Sequence, residues 1–119
     1  MEENLSDLKD KWQQLTARLA DQFGEEPDLQ SIIFLIGVNE LGRGPQKFTK
    51  DEKMDLMHIA TCRLMSQYGY YIYNGVDLDN WPQWTLVEEL PPLTLPQQDR
   101  LLREAVLSYF EGLDTDEEL

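Results

Sequence analysis

Two side chains that could take part in chemistry, His58 and Cys62, lie four residues apart in this chain of 119 residues. They are its one histidine and its one cysteine. On a helix this spacing stacks them on one face, where they could bind a metal ion or act as a base and a nucleophile. Asp55 precedes His58 by three residues and could orient the imidazole. One alternative is therefore a small enzyme, or a metal- or ligand-binding protein, that uses these three residues.

The other alternative is structural, because this set of residues is incomplete. A structural zinc site needs four ligands, and the sequence has no second histidine–cysteine pair. A catalytic pair also needs an oxyanion site, and no motif for one is visible. A buried thiol beside a hydrogen-bonded imidazole is the ordinary explanation of such a pair. We therefore favour a non-enzymatic protein and predict no catalytic residue, no metal ligand and no cofactor.

Large aromatic side chains are concentrated in one short segment of fifteen residues. Such rings often belong to the core, but they are also the residues preferred at the centres of interfaces. Each buries about 150–250 Å², so five rings cannot all fit beneath one short hairpin. We predict that this segment carries a surface for a protein partner or for self-association as a homodimer. Its candidate residues are Tyr70, Tyr71, Tyr73, Trp81 and Trp84.

Carboxylates in the same region imitate a calcium loop. Asp77, Asp79 and Glu88 occupy the first, third and twelfth positions of such a loop. The sixth position requires glycine for a sharp turn, and Pro82 stands there. The pattern therefore excludes an EF-hand. We expect these carboxylates to be solvated on the surface of a hairpin.

The charge of the chain narrows the classes of partner. Its formal net charge is −13, and residues 77–119 alone carry −9. A field of this sign repels phosphate backbones and anionic lipid, so we expect neither nucleic acid nor membrane as a partner. A lone cysteine excludes an internal disulfide, and the acidic start, Met-Glu-Glu-Asn, does not resemble a secretory signal. These features predict a cytoplasmic protein.

Hydrophobic spacing and capping motifs predict four helices. Leucine and aromatic residues recur every three or four positions over residues 5–23. Residues 28–41 are predicted to form a central helix, although the apolar run 32–38 also suits a buried strand. Thr49 with Glu52 and Thr94 with Gln97 are capping boxes, which start a third helix ending near Tyr68 and a fourth ending near Phe110.

Between the third and fourth helices, the segment from Tyr70 to Glu89 changes to aromatic and β-branched residues separated by turn-forming ones. This pattern predicts a short β-hairpin, with its register left open. The predicted fold class is mainly α, with about four helices around one core and this hairpin. We predict a single helical domain over residues 1–112 and a disordered acidic tail over 113–119.

Several stretches of the sequence resemble a small uncharacterised family of helical proteins from Bacteroidetes-type bacteria. The resemblance covers about residues 28–110 and implies no activity. It rests on Gly37-Val38-Asn39-Glu40-Leu41-Gly42, Asp51-Glu52-Lys53-Met54, His58-Ile59-Ala60-Thr61-Cys62 and Tyr68-Gly69-Tyr70-Tyr71.

Overall fold

The computed structural model describes residues 5–44 and 46–118, and it confirms the predicted fold class. Four helices are present, and a two-stranded antiparallel hairpin lies between the third and the fourth. In the part of the chain described, no helix is both long and apolar enough to cross a membrane. The elements are α1 (Leu5–Phe23), α2 (Leu29–Leu41), α3 (Lys50–Ser66), β1 (Tyr71–Val76), β2 (Pro82–Leu86) and α4 (Leu95–Glu118).

The chain divides into two compact units, and the first consists of residues 1–29 and 93–119. In this unit α1 packs against α4. The stripe predicted for α1 is buried at Leu8, Leu15 and Leu19. The guanidinium of Arg103 on α4 lies 4.6 Å from the ring centroid of Trp12 on α1. The single domain predicted over residues 1–112 stays a prediction.

The end of α4 corrects the sequence analysis. We expected the helix to stop near Phe110 with Gly112 as its cap, but it continues through Gly112 to Glu118. Gly112 does not adopt a positive φ. Glycine inside a helix costs about 1 kcal/mol relative to alanine, which weakens a helix without ending it. Residues 113–118 are assigned to α4, Leu119 lies outside the described residues, and the disordered tail predicted over 113–119 stays a prediction.

The second unit consists of residues 30–92. The apolar run 32–38 lies within α2, so the structure decides for helix over strand. Helices α2 and α3 approach closely at Gly37. A Cβ atom built on Gly37 would lie 2.2 Å from the backbone oxygen of Leu56.

The start of α3 follows the predicted capping box. The backbone N–H of Glu52 donates to the Thr49 hydroxyl at 3.1 Å, and the backbone N–H of Thr49 donates to the Glu52 carboxylate at 2.8 Å. The helix is buried over a broad apolar arc. Its buried residues are Leu56, Ile59, Ala60, Cys62, Leu64 and Met65.

We predict that Thr49→Ala lowers the free energy of unfolding by about 1 kcal/mol, because the substitution removes the hydroxyl that caps α3. Thermal or urea denaturation followed by circular dichroism measures this change. Thr49→Ser keeps a hydroxyl at the cap and should stay within a few tenths of a kcal/mol of the wild type. Equal losses in both variants would contradict a capping role.

The hairpin has an irregular register. Tyr71 pairs with Leu86, and Tyr73 pairs with Trp84, but the next pair is Val76 with Pro82. One extra residue therefore lies in β1, at Asn74-Gly75, which forms a bulge in place of a tight turn. Gly75 has φ +89°, a conformation that L side chains rarely adopt.

Candidate functional site

One face of the hairpin is directed toward α3. Because cross-strand partners share a face and residues two apart do as well, Tyr71, Tyr73, Trp84 and Leu86 lie on the same side. Both strands contact α3, and Tyr71 and Trp84 are half-buried. The opposite side carries Ile72 and Thr85, which are exposed. The hairpin is thus a lid on α3 with a solvent-facing outer side.

The turn of the hairpin is held by the carboxylate of Asp77. Its Oδ1 accepts from the backbone N–H groups of Asp79, at 2.9 Å, and Trp81, at 3.0 Å. Arg43, from the α2–α3 loop, donates to the carbonyl oxygen of Asp79, and its guanidinium lies 5.7 Å from the ring centroid of Trp81. Asp77, one of the carboxylates predicted to be solvated on the hairpin, therefore orders the turn and positions Trp81.

A cavity of about 270 Å³ lies between α3 and the hairpin. It brings together two residues of the predicted chemical set, Asp55 and His58, with two of the predicted aromatics, Trp81 and Trp84. In the sequence the chemical set and the aromatics are separate groups. They meet because the fold places α3 under the turn of the hairpin. The lining is Asp55, His58, Ile59, Asp77, Trp81, Pro82, Gln83 and Trp84.

The cavity is acidic and aromatic in character. Asp55 and Asp77 are two carboxylates in its wall, and none of its lining residues is a lysine or arginine. The indole Nε1 of Trp84 is buried and, among the described residues, is the one buried side-chain nitrogen or oxygen without a hydrogen-bond partner. A buried donor without a partner is unusual, since buried polar groups are nearly always hydrogen-bonded.

A larger cavity, of about 410 Å³, lies in the first unit between α1 and α4. None of the residues singled out in the sequence lines it. Its charged residues Lys11, Arg18 and Glu111 all take part in polar or electrostatic contacts with other residues. Size alone therefore does not make it the better candidate.

The predicted pair on α3 is in contact. Cys62 Sγ lies 3.5 Å from His58 Nε2, and which of the two donates depends on the tautomer of the imidazole. Cys62 is fully buried, whereas His58 is exposed. Burial raises the pKa of the Cys62 thiol to about 11. Burial also raises the pKa of Tyr71, and the neighbouring Cys62 adds to the effect.

This geometry gives little support to chemistry at Asp55, His58 and Cys62. A nucleophilic thiol needs a lowered pKa and access to substrate, and Cys62 has neither. No hydrogen bond joins Asp55 to His58 among the contacts of the described residues. Within those residues, no group of three or more histidine, cysteine, aspartate or glutamate side chains could hold a metal ion.

The five predicted partner-binding aromatics are unevenly exposed. Tyr73 is 55% exposed. Tyr70, Tyr71, Trp81 and Trp84 are half-buried. Tyr73 packs on Trp84 with ring centroids 5.3 Å apart. The rings therefore form mainly the inner layer of the hairpin.

Aliphatic side chains, which the sequence reasoning missed, supply much of the exposed apolar surface. Among the described residues ten large hydrophobic side chains are exposed, and six of them fall between residues 72 and 87. Leu78 is completely exposed at the tip of the turn. Alternation would have indicated Ile72, because it lies between two tyrosines that face inward. These six residues come from both sides of the hairpin and from its turn, and together we call them the hairpin surface: Ile72, Tyr73, Val76, Leu78, Leu86 and Val87.

Comparison of the chain with protein-family models, with curated proteins and with solved structures finds no match.

Proposed function

We propose that this chain is a non-enzymatic protein-interaction domain that binds its partner through the hairpin surface. The observation that carries the proposal is the clustering of six of the ten exposed large hydrophobic side chains on this one hairpin. Single exposed hydrophobic residues are normal, but exposed apolar side chains concentrated in one small element favour an association site. The cytoplasmic location expected from the sequence remains a prediction.

The backbone of the hairpin favours the same use. The sheet has two strands, so among the described residues neither outer edge is paired with a further strand. Unpaired edges present N–H and C=O groups to which a partner segment can add. A two-stranded sheet is only marginally stable by itself, and a partner would add order to it.

Charge favours a basic partner over a second copy. Residues 70–92 contain four acidic side chains and no lysine or arginine. Two copies that met hairpin to hairpin would bring like charges together, whereas a basic protein would complement them. The acidic residues that surround the apolar side chains are Asp77, Asp79, Glu88 and Glu89.

The test begins with a photo-crosslinking amino acid placed at Leu78, in the tip of the hairpin. We expect one discrete protein to be captured in cells, with far less capture from the same group at Leu95. Leu95 is a matched control, because it is also an exposed leucine but lies in the first unit. Mass spectrometry then identifies the captured protein, which is purified for binding measurements.

We predict that Ile72→Ser combined with Leu78→Ser weakens binding of the purified partner by about 10- to 100-fold, because each change removes a buried aliphatic contact at the interface. Titration calorimetry measures the affinity, and Leu95→Ser should leave it unchanged. We choose these exposed residues over Trp81 and Trp84, because truncating half-buried rings would disturb the hairpin itself.

Three results would count against the proposal: equal capture from positions 78 and 95, capture from neither position, or wild-type affinity in the double variant. Light scattering measures the oligomeric state and so tests whether the partner is a second copy of this chain. A dimer that the double variant abolishes would identify a second copy as the partner and overturn the preference for a basic protein.

A further inference from the structure

We propose that the cavity between α3 and the hairpin takes the cationic side chain of a lysine or arginine on the partner protein. This inference rests on the proposed function, and it names the feature of the partner that the domain would recognise. It follows from the size of the cavity, its aromatic walls and its unneutralised carboxylates.

The size of the cavity suits one side chain. Pockets for drug-sized ligands span roughly 300–1,000 Å³. The cavity has about 270 Å³. It is therefore small for a cofactor or a nucleotide, and it matches a single long side chain that enters from a bound segment.

The aromatic walls attract cations. The face of tryptophan offers the strongest cation–π site among the aromatic side chains, and two indoles, of Trp81 and Trp84, line the cavity. The chain itself already uses this chemistry, since the guanidinium of Arg43 lies 5.7 Å from the Trp81 ring centroid. Arg43 is not among the residues that line the cavity.

Two carboxylates add charge complementarity. Asp55 has no ion pair or hydrogen bond among the described residues. Asp77 accepts hydrogen bonds from backbone N–H groups and from the Gln83 amide, which leave its negative charge unneutralised. A cation between these two carboxylates would gain charge-assisted hydrogen bonds that no residue of this chain supplies.

The cavity and the hairpin surface meet at one ring contact. Trp84 lines the cavity, and its ring packs on Tyr73 of the hairpin surface. A partner segment that covers Tyr73 could therefore place a basic side chain in the cavity. Apolar contacts would supply most of the buried interface area, and the cation would make the interface specific for a basic partner.

The test uses small probes, so that it does not depend on knowing the partner. N-acetyl-lysine methylamide and N-acetyl-arginine methylamide are titrated into the ¹⁵N-labelled protein, and N-acetyl-norleucine methylamide is the uncharged control. The chain has three tryptophans, so its three indole N–H signals report directly on binding of a probe near each ring. With a cationic probe we expect saturable chemical-shift changes at Trp81 and Trp84 and little change at Trp12. With the norleucine probe we expect no saturable change at any of the three.

A charge-removing variant sharpens the test. Asp55→Asn should weaken binding of the cationic probe by about tenfold, because it removes one carboxylate from the cavity wall. Asp51→Asn is the matched control, since it makes the same change on an exposed residue of the same helix outside the cavity. It should bind the probe as the wild type does.

Failure of this inference is distinguishable from failure of the proposed function. Equal shifts with norleucine and lysine probes, or no saturation, would overturn the cation site. Equal effects of Asp55→Asn and Asp51→Asn would do the same. The hairpin surface would stand if Ile72→Ser with Leu78→Ser still weakened partner binding. If that double variant bound normally while the probe saturated Trp81 and Trp84, the cavity would stand and the proposed function would fall.

Discussion

Gly37→Ala is expected to lower the free energy of unfolding by about 3 kcal/mol, at the upper end of what overpacking costs. The added Cβ would lie 2.2 Å from the backbone oxygen and 2.8 Å from the backbone carbon of Leu56. Both atoms belong to the main chain of α3, so no side-chain rotation can relieve the clash. The helices must move apart, which disturbs the packing of the fully buried Ile36 and Leu56.

Gly112→Ala is the matched control, because it makes the same change in another helix. A Cβ at Gly112 meets nothing within 4 Å, and the residue does not adopt a positive φ. Alanine should therefore stabilise α4 by up to about 1 kcal/mol through its higher helix propensity. Urea denaturation followed by circular dichroism measures both variants. Losses of similar size at the two positions would contradict the close contact between α2 and α3.

Features that depend on local chemistry were predictable from the sequence. The capping boxes at Thr49 and Thr94 begin helices as expected, because each needs only residues three apart. The fold class followed from the same kind of signal. At Gly37 a glycine inside an apolar helix is compatible with a close approach, but the backbone that it meets, that of Leu56, is set by tertiary packing.

The end of α4 shows where local signals are insufficient. Glycine at position 112 resembled a helix cap, but a cap requires a left-handed conformation that the sequence does not determine. Asn74-Gly75 has the residue types of a tight turn and is a bulge. In both cases the same residue type suits two backbone structures, and the surrounding fold decides between them.

The candidate site was predicted in its parts but not in its assembly. The five aromatics and the set Asp55, His58 and Cys62 were identified separately, and no local pattern indicated that Asp55 and His58 share a cavity with Trp81 and Trp84. They meet because the hairpin folds back on α3, which depends on long-range packing. The exposed aliphatic residues were overlooked because composition draws attention to rings, whereas exposure depends on which side of a strand a residue occupies.

Cys62 is expected to react with a thiol reagent at least about 100-fold more slowly in the native protein than in denaturing urea at pH 7.5. Raising its pKa from the ordinary 9.0 to about 11 lowers the thiolate fraction at neutral pH by that factor. Full burial slows the reaction further, because the reagent must wait for α3 to open. Rapid labelling of the native protein would instead reveal an accessible thiolate and revive the enzyme alternative.

The same shift makes the protein less stable at alkaline pH. As pH rises, the thiol ionises near 9.0 in the unfolded chain but near 11 in the folded protein, so the unfolded chain loses its proton first. The contribution of Cys62 is therefore complete below about pH 8, and it should decrease by about 2 kcal/mol between pH 9 and 11. Urea denaturation over this range, compared with Cys62→Ala, measures the contribution of Cys62 together with the part of the Tyr71 shift that Cys62 causes, whereas the larger part, due to burial of Tyr71, is common to both proteins. Parallel stability curves for the two proteins would mean that the thiol ionises equally easily in both states, and the burial of Cys62 would then not control its chemistry.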